Sequence, residues 1–164
     1  MRRTTANAWL TLLCAALLAG CYRSETVYHV YRPVPTKGWM RTDTLTYEVA
    51  VPDSVADYHV WVEVRYRTDY PYRNLPLLLG CTDSVRNTLR TDTLLLQLTD
   101  AKGVWIGNGL GGLYEVSSKE LTYRFDRKGT YRFSITRLLS TDDRLFGIND
   151  IGILVEKSEI QLKN

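Results

Sequence analysis

Tyr58-His59-Val60-Trp61-Val62-Glu63-Val64-Arg65-Tyr66-Arg67 is the stretch that decides the fold. Tyr58, Val60, Val62, Val64 and Tyr66 occupy alternate positions, and His59, Trp61, Glu63, Arg65 and Arg67 stand between them. A repeat of two is the repeat of a β-strand with one buried face. The spacing therefore predicts a strand with Val60, Val62 and Val64 turned inward and with Glu63 and Arg65 on the other face. A slip of one residue would invert every side chain, so burial of the valines also sets the register.

The same alternation recurs on both sides of this stretch, in 45–51, 75–79, 94–98, 121–125, 131–135 and 151–155, with 27–31 as an edge strand and 113–117 as strand or loop. Pro76 suggests an edge position for its strand, because proline cannot donate to a ladder. Turn clusters rich in Asp, Ser, Pro and Gly separate the runs, as at 52–54, 68–71, 82–84, 100–103, 126–129 and 140–143. No segment shows a helical period of useful length. Short alternating strands joined by turns imply an all-β, antiparallel two-sheet sandwich. Nine candidate strands fit a jelly roll, of about eight strands, better than an immunoglobulin-like domain of about seven, which stands as the alternative.

Upstream, Arg2-Arg3 and Thr4-Thr5 precede an apolar run from Ala8 to Leu18, closed by Leu18-Ala19-Gly20-Cys21. A basic start, a short apolar core and small residues before a cut make a secretory signal, and the cysteine after that cut makes it a lipoprotein signal. The run is too short to span a bilayer, which needs about 20 apolar residues. The expected organisation is a signal peptide at 1–20, a lipidated tether with an edge strand at 21–38, and a β-sandwich domain at 39–164. Cys21 is the expected lipidation site.

Removal of the first 20 of 164 residues leaves 144, enough for one domain with its own core. The leader holds two of the 21 basic residues and none of the 18 acidic ones, so the mature charge is +1 with histidines neutral. That balance argues against nucleic acid as a partner and against a polybasic membrane patch. Of the three cysteines, Cys14 leaves with the leader and Cys21 takes lipid, so Cys81 has no intrachain partner. It follows Leu77-Leu78-Leu79 and reads as a buried small hydrophobe.

Gly107-Asn108-Gly109-Leu110-Gly111-Gly112 contains Gly-x-Gly-x-x-Gly, yet no helix follows to hold a pyrophosphate, and the glycines read as a connection between strands. No Gly-x-Ser-x-Gly and no His-Glu-x-x-His occurs, and Asp142-Asp143 reads as a solvated turn rather than a calcium loop. The expectation is no enzyme, no cofactor and no metal. Trp61 with the arginines of its strand, and the corner Asp69-Tyr70-Pro71-Tyr72-Arg73-Asn74, have the composition of interfaces. A sandwich with surface aromatics also leaves a glycan as a possible ligand, provided that Trp61, Trp105, Tyr70 and Tyr72 face solvent in one row.

Four blocks together resemble a known family: Gly38-Trp39 before Leu45-Thr46-Tyr47; 64–67 with 69–75; 92–94 through Asp100 to Gly103-Val104-Trp105-Ile106-Gly107-Asn108-Gly109; and Gly147-Ile148-Asn149-Asp150-Ile151-Gly152-Ile153. The chain resembles the gliding-motility lipoproteins of the GldH family. What the resemblance implies is a membrane lipoprotein held by its N-terminal lipid, non-catalytic, with envelope or motility-machinery proteins as partners. The candidate partner-binding residues on these blocks are Arg65, Tyr70, Tyr72, Arg73, Asn74, Trp105, Asn108 and Asp150. The family's Met-Arg pair before the last block is Leu138-Leu139 here, so its role would be lost or would pass to Arg137 or Arg144. Tyr22-Arg23-Ser24-Glu25-Thr26 after Cys21 lacks the acidic cluster of a surface-export signal, which favours the periplasmic face of the outer membrane.

Overall fold

In the computed structural model, which describes residues 25–138 and 142–158, the 58–67 alternation becomes the eleven-residue strand β4 (Asp57–Arg67). Its inner row of Tyr58, Val60, Val62, Val64 and Tyr66 is completely buried. β12 (Ile148–Lys157) runs antiparallel along one side of β4, while β8 (Leu113–Ser117) and β9 (Leu121–Arg124) share the other. β1 (Glu25–Pro33) lies beyond β12, and β7 (Asn108–Leu110) beyond β8, completing a six-stranded sheet. The second sheet holds β3 (Leu45–Val51), β10 (Gly129–Arg137), β5 (Asn74–Thr82) and β6 (Thr88–Gln97), in that spatial order. A two-residue ladder of β2 (Trp39–Met40) and β11 (Arg144–Leu145) joins two connections.

β8 and β9 act as one strand interrupted at 118–120. Ser118 N donates to Val62 O and Val62 N donates to Ser118 Oγ, so β4 keeps its hydrogen bonds across the break. Counted in chain order as β1, β3, β4, β5, β6, the joined β8 and β9, β10 and β12, the eight long strands lie first-eighth-third-sixth in one sheet and second-seventh-fourth-fifth in the other, a jelly roll with two Greek keys. This order replaces the immunoglobulin-like alternative.

Phenols tie the two sheets together. Tyr47 on β3 donates to Ile151 O on β12 at 2.7 Å, and Tyr123 on β9 donates to Asp92 Oδ2 on β6 at 2.7 Å. Each buried hydroxyl thereby finds an acceptor, which removes the cost of placing it in an apolar core. Cys81 is buried in the same layer, and burial pushes its thiol up to about 12.

One expectation changes. Pro76 lies in β5, an interior strand between β10 and β6, not on an edge. It is tolerated because β10 ends its pairing with β5 at Arg137, so beside Pro76 only Leu138 N remains, donating to the proline carbonyl. Glu63 points away from the valines as expected, and it is only 7% exposed because side chains of β1 lie over it.

Val62→Asp places an unpaired charge in this core and should abolish cooperative unfolding in a thermal melt, whereas a retained sharp transition would show the register to be wrong. Cys81 should resist a thiol reagent at pH 8 in the native protein and react fully in denaturant, since its thiolate is suppressed until the sandwich opens.

Candidate functional site

The outer face of the six-stranded sheet is built in lateral rows set by register. Tyr31, Gly152, Glu63 and Ser117 form one row; Pro33, Asp150, Arg65, Glu115 and Asn108 form the next. Gly152 lets the Tyr31 ring cross β12, since a Cβ there would stand 2.8 Å from the ring. The phenol reaches Glu63 Oε2 at 2.6 Å, and His29 Nε2 lies 2.7 Å from the same oxygen. Burial, and then donation to that carboxylate, raise the Tyr31 phenol far above its ordinary value.

Arg65 is held on three sides. Its guanidinium carbon lies 3.7 Å from the Tyr31 ring centroid, its Nε donates to Glu115 Oε2 at 2.7 Å, and Asp150 Oδ1 is 3.8 Å away. A groove of about 370 Å³ opens beside it, lined also by Asn108, Leu110, Leu113 and Glu115. The glycine-rich segment forms this wall as the β7–β8 hairpin. Gly111 and Gly112 at its tip have φ of 62° and 85°, the positive pair that a type I′ turn demands. The segment is thus a strand turn and not a phosphate loop.

The 68–73 corner lies at the same end of the sandwich. Tyr70 is buried and donates to Asn74 O at 2.9 Å, while Tyr72 is 39% exposed, packs edge-on to Tyr70 and donates to Asp142 Oδ2. Arg73 is exposed, and its carbonyl accepts from Leu98 N and Thr99 N. Trp105 is half-buried against Tyr66 and Tyr114, and Ile106 N donates to Leu98 O, so the corner and the 104–107 connection meet through the end of β6. A cleft of about 470 Å³ lies here between Tyr72, Arg73, Pro76, Leu95 and Arg137.

The fold brings all eight candidate residues to this end, in two groups. Arg65, Asn108 and Asp150 share the outer row; Tyr70, Tyr72, Arg73, Asn74 and Trp105 surround the corner. Cys21 falls outside the described residues. Arg137 is buried with Nη2 donating to the carbonyls of Asp142 and Asp143, whereas Arg144 is exposed and donates to Lys37 O. Sequence reasoning missed Tyr31 and His29, whose partner Glu63 lies more than 30 positions away. Trp61 lies half-buried on the outer face, Trp105 packs inside the end and Tyr70 is buried, so the four aromatics form no single solvent-facing row.

The profile of the GldH lipoprotein family matches residues 26–155, which takes in every strand from β1 to most of β12. The chain belongs to the GldH lipoprotein family. It is 27% identical to the gliding motility lipoprotein GldH of Flavobacterium johnsoniae, over 93% of this chain and 98% of that protein. It is 26% identical to the GldH homolog of Christiangramia forsetii, over 96% of this chain and 99% of that protein. Among solved structures, the VP2 subviral particle of infectious bursal disease virus aligns at 12% identity with a TM-score of 0.41, covering 82% of this chain and 32% of VP2. The chain thus spans about a third of VP2.

Tyr31→Phe should lower stability by about 1–2 kcal/mol in urea unfolding, because it takes a donor from a buried carboxylate oxygen. Gly152→Ala should cost at least as much by displacing the ring; no loss in either variant would show that the Tyr31–Glu63 contact does not hold β1 down.

Proposed function

We propose that this chain is a lipid-anchored envelope protein that serves as a non-catalytic interaction subunit of the gliding-motility or a related envelope machinery. One observation carries the reading: the candidate residues gather at one end of the sandwich, while the chain leads back to Cys21 from the other. Glu25, the first residue of β1, pairs with Lys157 at the end opposite Tyr72 and Asn108. β1 has nine residues, so the candidate end stands about 30 Å from the anchored one. In this reading residues 1–20 are removed, Cys21 carries the lipid, and the sandwich projects its far loops to a protein partner. The residues after Cys21 support the periplasmic face of the outer membrane.

The chemistry of the far end suits binding. Arg65 is immobilised before any partner arrives, which lowers the entropy lost on contact. Tyr72 and Arg73 are exposed beside an apolar cleft, the residue types that dominate interface energies. The Glu63 carboxylate is engaged by Tyr31 and His29, and the Cys81 thiol is buried and protonated, so neither offers a ready nucleophile or base. The glycan reading has less support, because its aromatic platform is missing.

Arg73→Ala and Tyr72→Ala should leave the melt and membrane attachment intact while cutting recovery of envelope partners, each by about 2 kcal/mol or more if central to the contact. Unchanged recovery with folded variants would count against this surface, and turnover of a glycan or ester by the pure protein would count against the non-catalytic reading.

A further inference from the structure

The anchored end of the sandwich repeats one tripeptide. Asp53-Ser54-Val55 joins β3 to β4 and Asp83-Ser84-Val85 joins β5 to β6. Both turns are built alike: Asp53 Oδ1 accepts from Val55 N at 2.9 Å, and Asp83 Oδ1 accepts from Val85 N at 3.0 Å. Further bonds fix each loop, from the Tyr58 phenol to Asp53 O and from Asn87 N to Asp83 Oδ1. Each turn leaves its valine 71% exposed. A rigid loop that holds a β-branched apolar side chain in water gains nothing for the fold from that side chain.

These two loops share their end with the 126–128 turn and with the start of β1. Val51 pairs with Gly129, Arg132 with Thr82, and Glu25 with Lys157, whose Nζ is 3.1 Å from Asp53 Oδ2. Four residue steps separate Cys21 from Glu25, a reach of at most about 14 Å. A lipid on Cys21 therefore keeps Val55 close to the bilayer, and the domain's long axis puts Val85 at the same level. Among the described residues Arg86, Arg127 and Lys128 make no ion pair at this end, whereas Asp53 is paired with Lys157 and Asp57 with Arg124. These basic groups share this end with the carboxylates of Asp83, Asp126 and Glu25, so the end carries no net charge among these groups.

We infer that this end docks on the lipid surface that receives the anchor, with Val55 and Val85 entering the headgroup region. The inference rests on acylation of Cys21 and adds to it a fixed orientation. Insertion of the two valines removes apolar area from water. Together they hold the sandwich upright and its far loops away from the membrane.

The test uses the acylated full-length protein in vesicles of phosphatidylethanolamine and phosphatidylglycerol. Single variants V55C, V85C and L110C carry an environment-sensitive fluorophore, with buried Cys81 left unlabelled and Leu110, 91% exposed at the far end, as the reference. Spin-labelled lipid should quench the probes at 55 and 85 several-fold more than the probe at 110. Equal quenching at the three positions, or strongest quenching at 110, overturns the docking and leaves the anchor standing. A protein mass without lipid on Cys21 overturns the anchor, and the docking with it.

Discussion

Everything else in this structure depends on burying one face of β4. Its five inner side chains are shielded completely, and because strand side chains alternate, that burial dictates what the outer face presents. Glu63 and Arg65 sit where they do because Val62 and Val64 are inside. The pairing of β4 with β12, β8 and β9 then places the neighbours of those two residues: Gly152 and Ser117 beside Glu63, Asp150 and Glu115 beside Arg65. The outer row is thus a consequence of the inner one.

The fold was legible wherever the period-two signal was local. The alternations at 45–51, 58–67 and 131–135 correspond closely to β3, β4 and β10, and their count pointed to the jelly roll. What was not legible came from partners distant in sequence. Pro76 reads as an edge residue until β10 is seen to end at Arg137 beside it. The cover over Glu63 is not visible until Tyr31 is laid across Gly152, a contact that needs β1, β12 and β4 side by side. Trp105 reads as a surface aromatic until Tyr66 and Tyr114 are found against it. Of the candidate site, the residues could be named but not their division into an outer row and a corner. That division follows from register, which one sequence does not print.

The jelly roll also separates two tasks along its long axis. Connections at one end adjoin Glu25, the first described residue, and present two valine-tipped turns; connections at the other present the Arg65 row, the corner and the β7–β8 hairpin. Strands that run the length of the sandwich join these ends, so an orientation fixed at the membrane, as proposed, would be carried to the far loops. Loops on such a scaffold can change without disturbing the core, which makes them the natural place for recognition.

The most direct test of this account is photo-crosslinking in intact envelopes, with a photoreactive residue placed singly at Tyr72, Asn108, Thr93 and Asp126. The account predicts that positions 72 and 108 capture the same envelope protein while 93, on the outer face of the second sheet, and 126, at the anchored end, do not. Capture of a protein from 93 or 126 alone would contradict it.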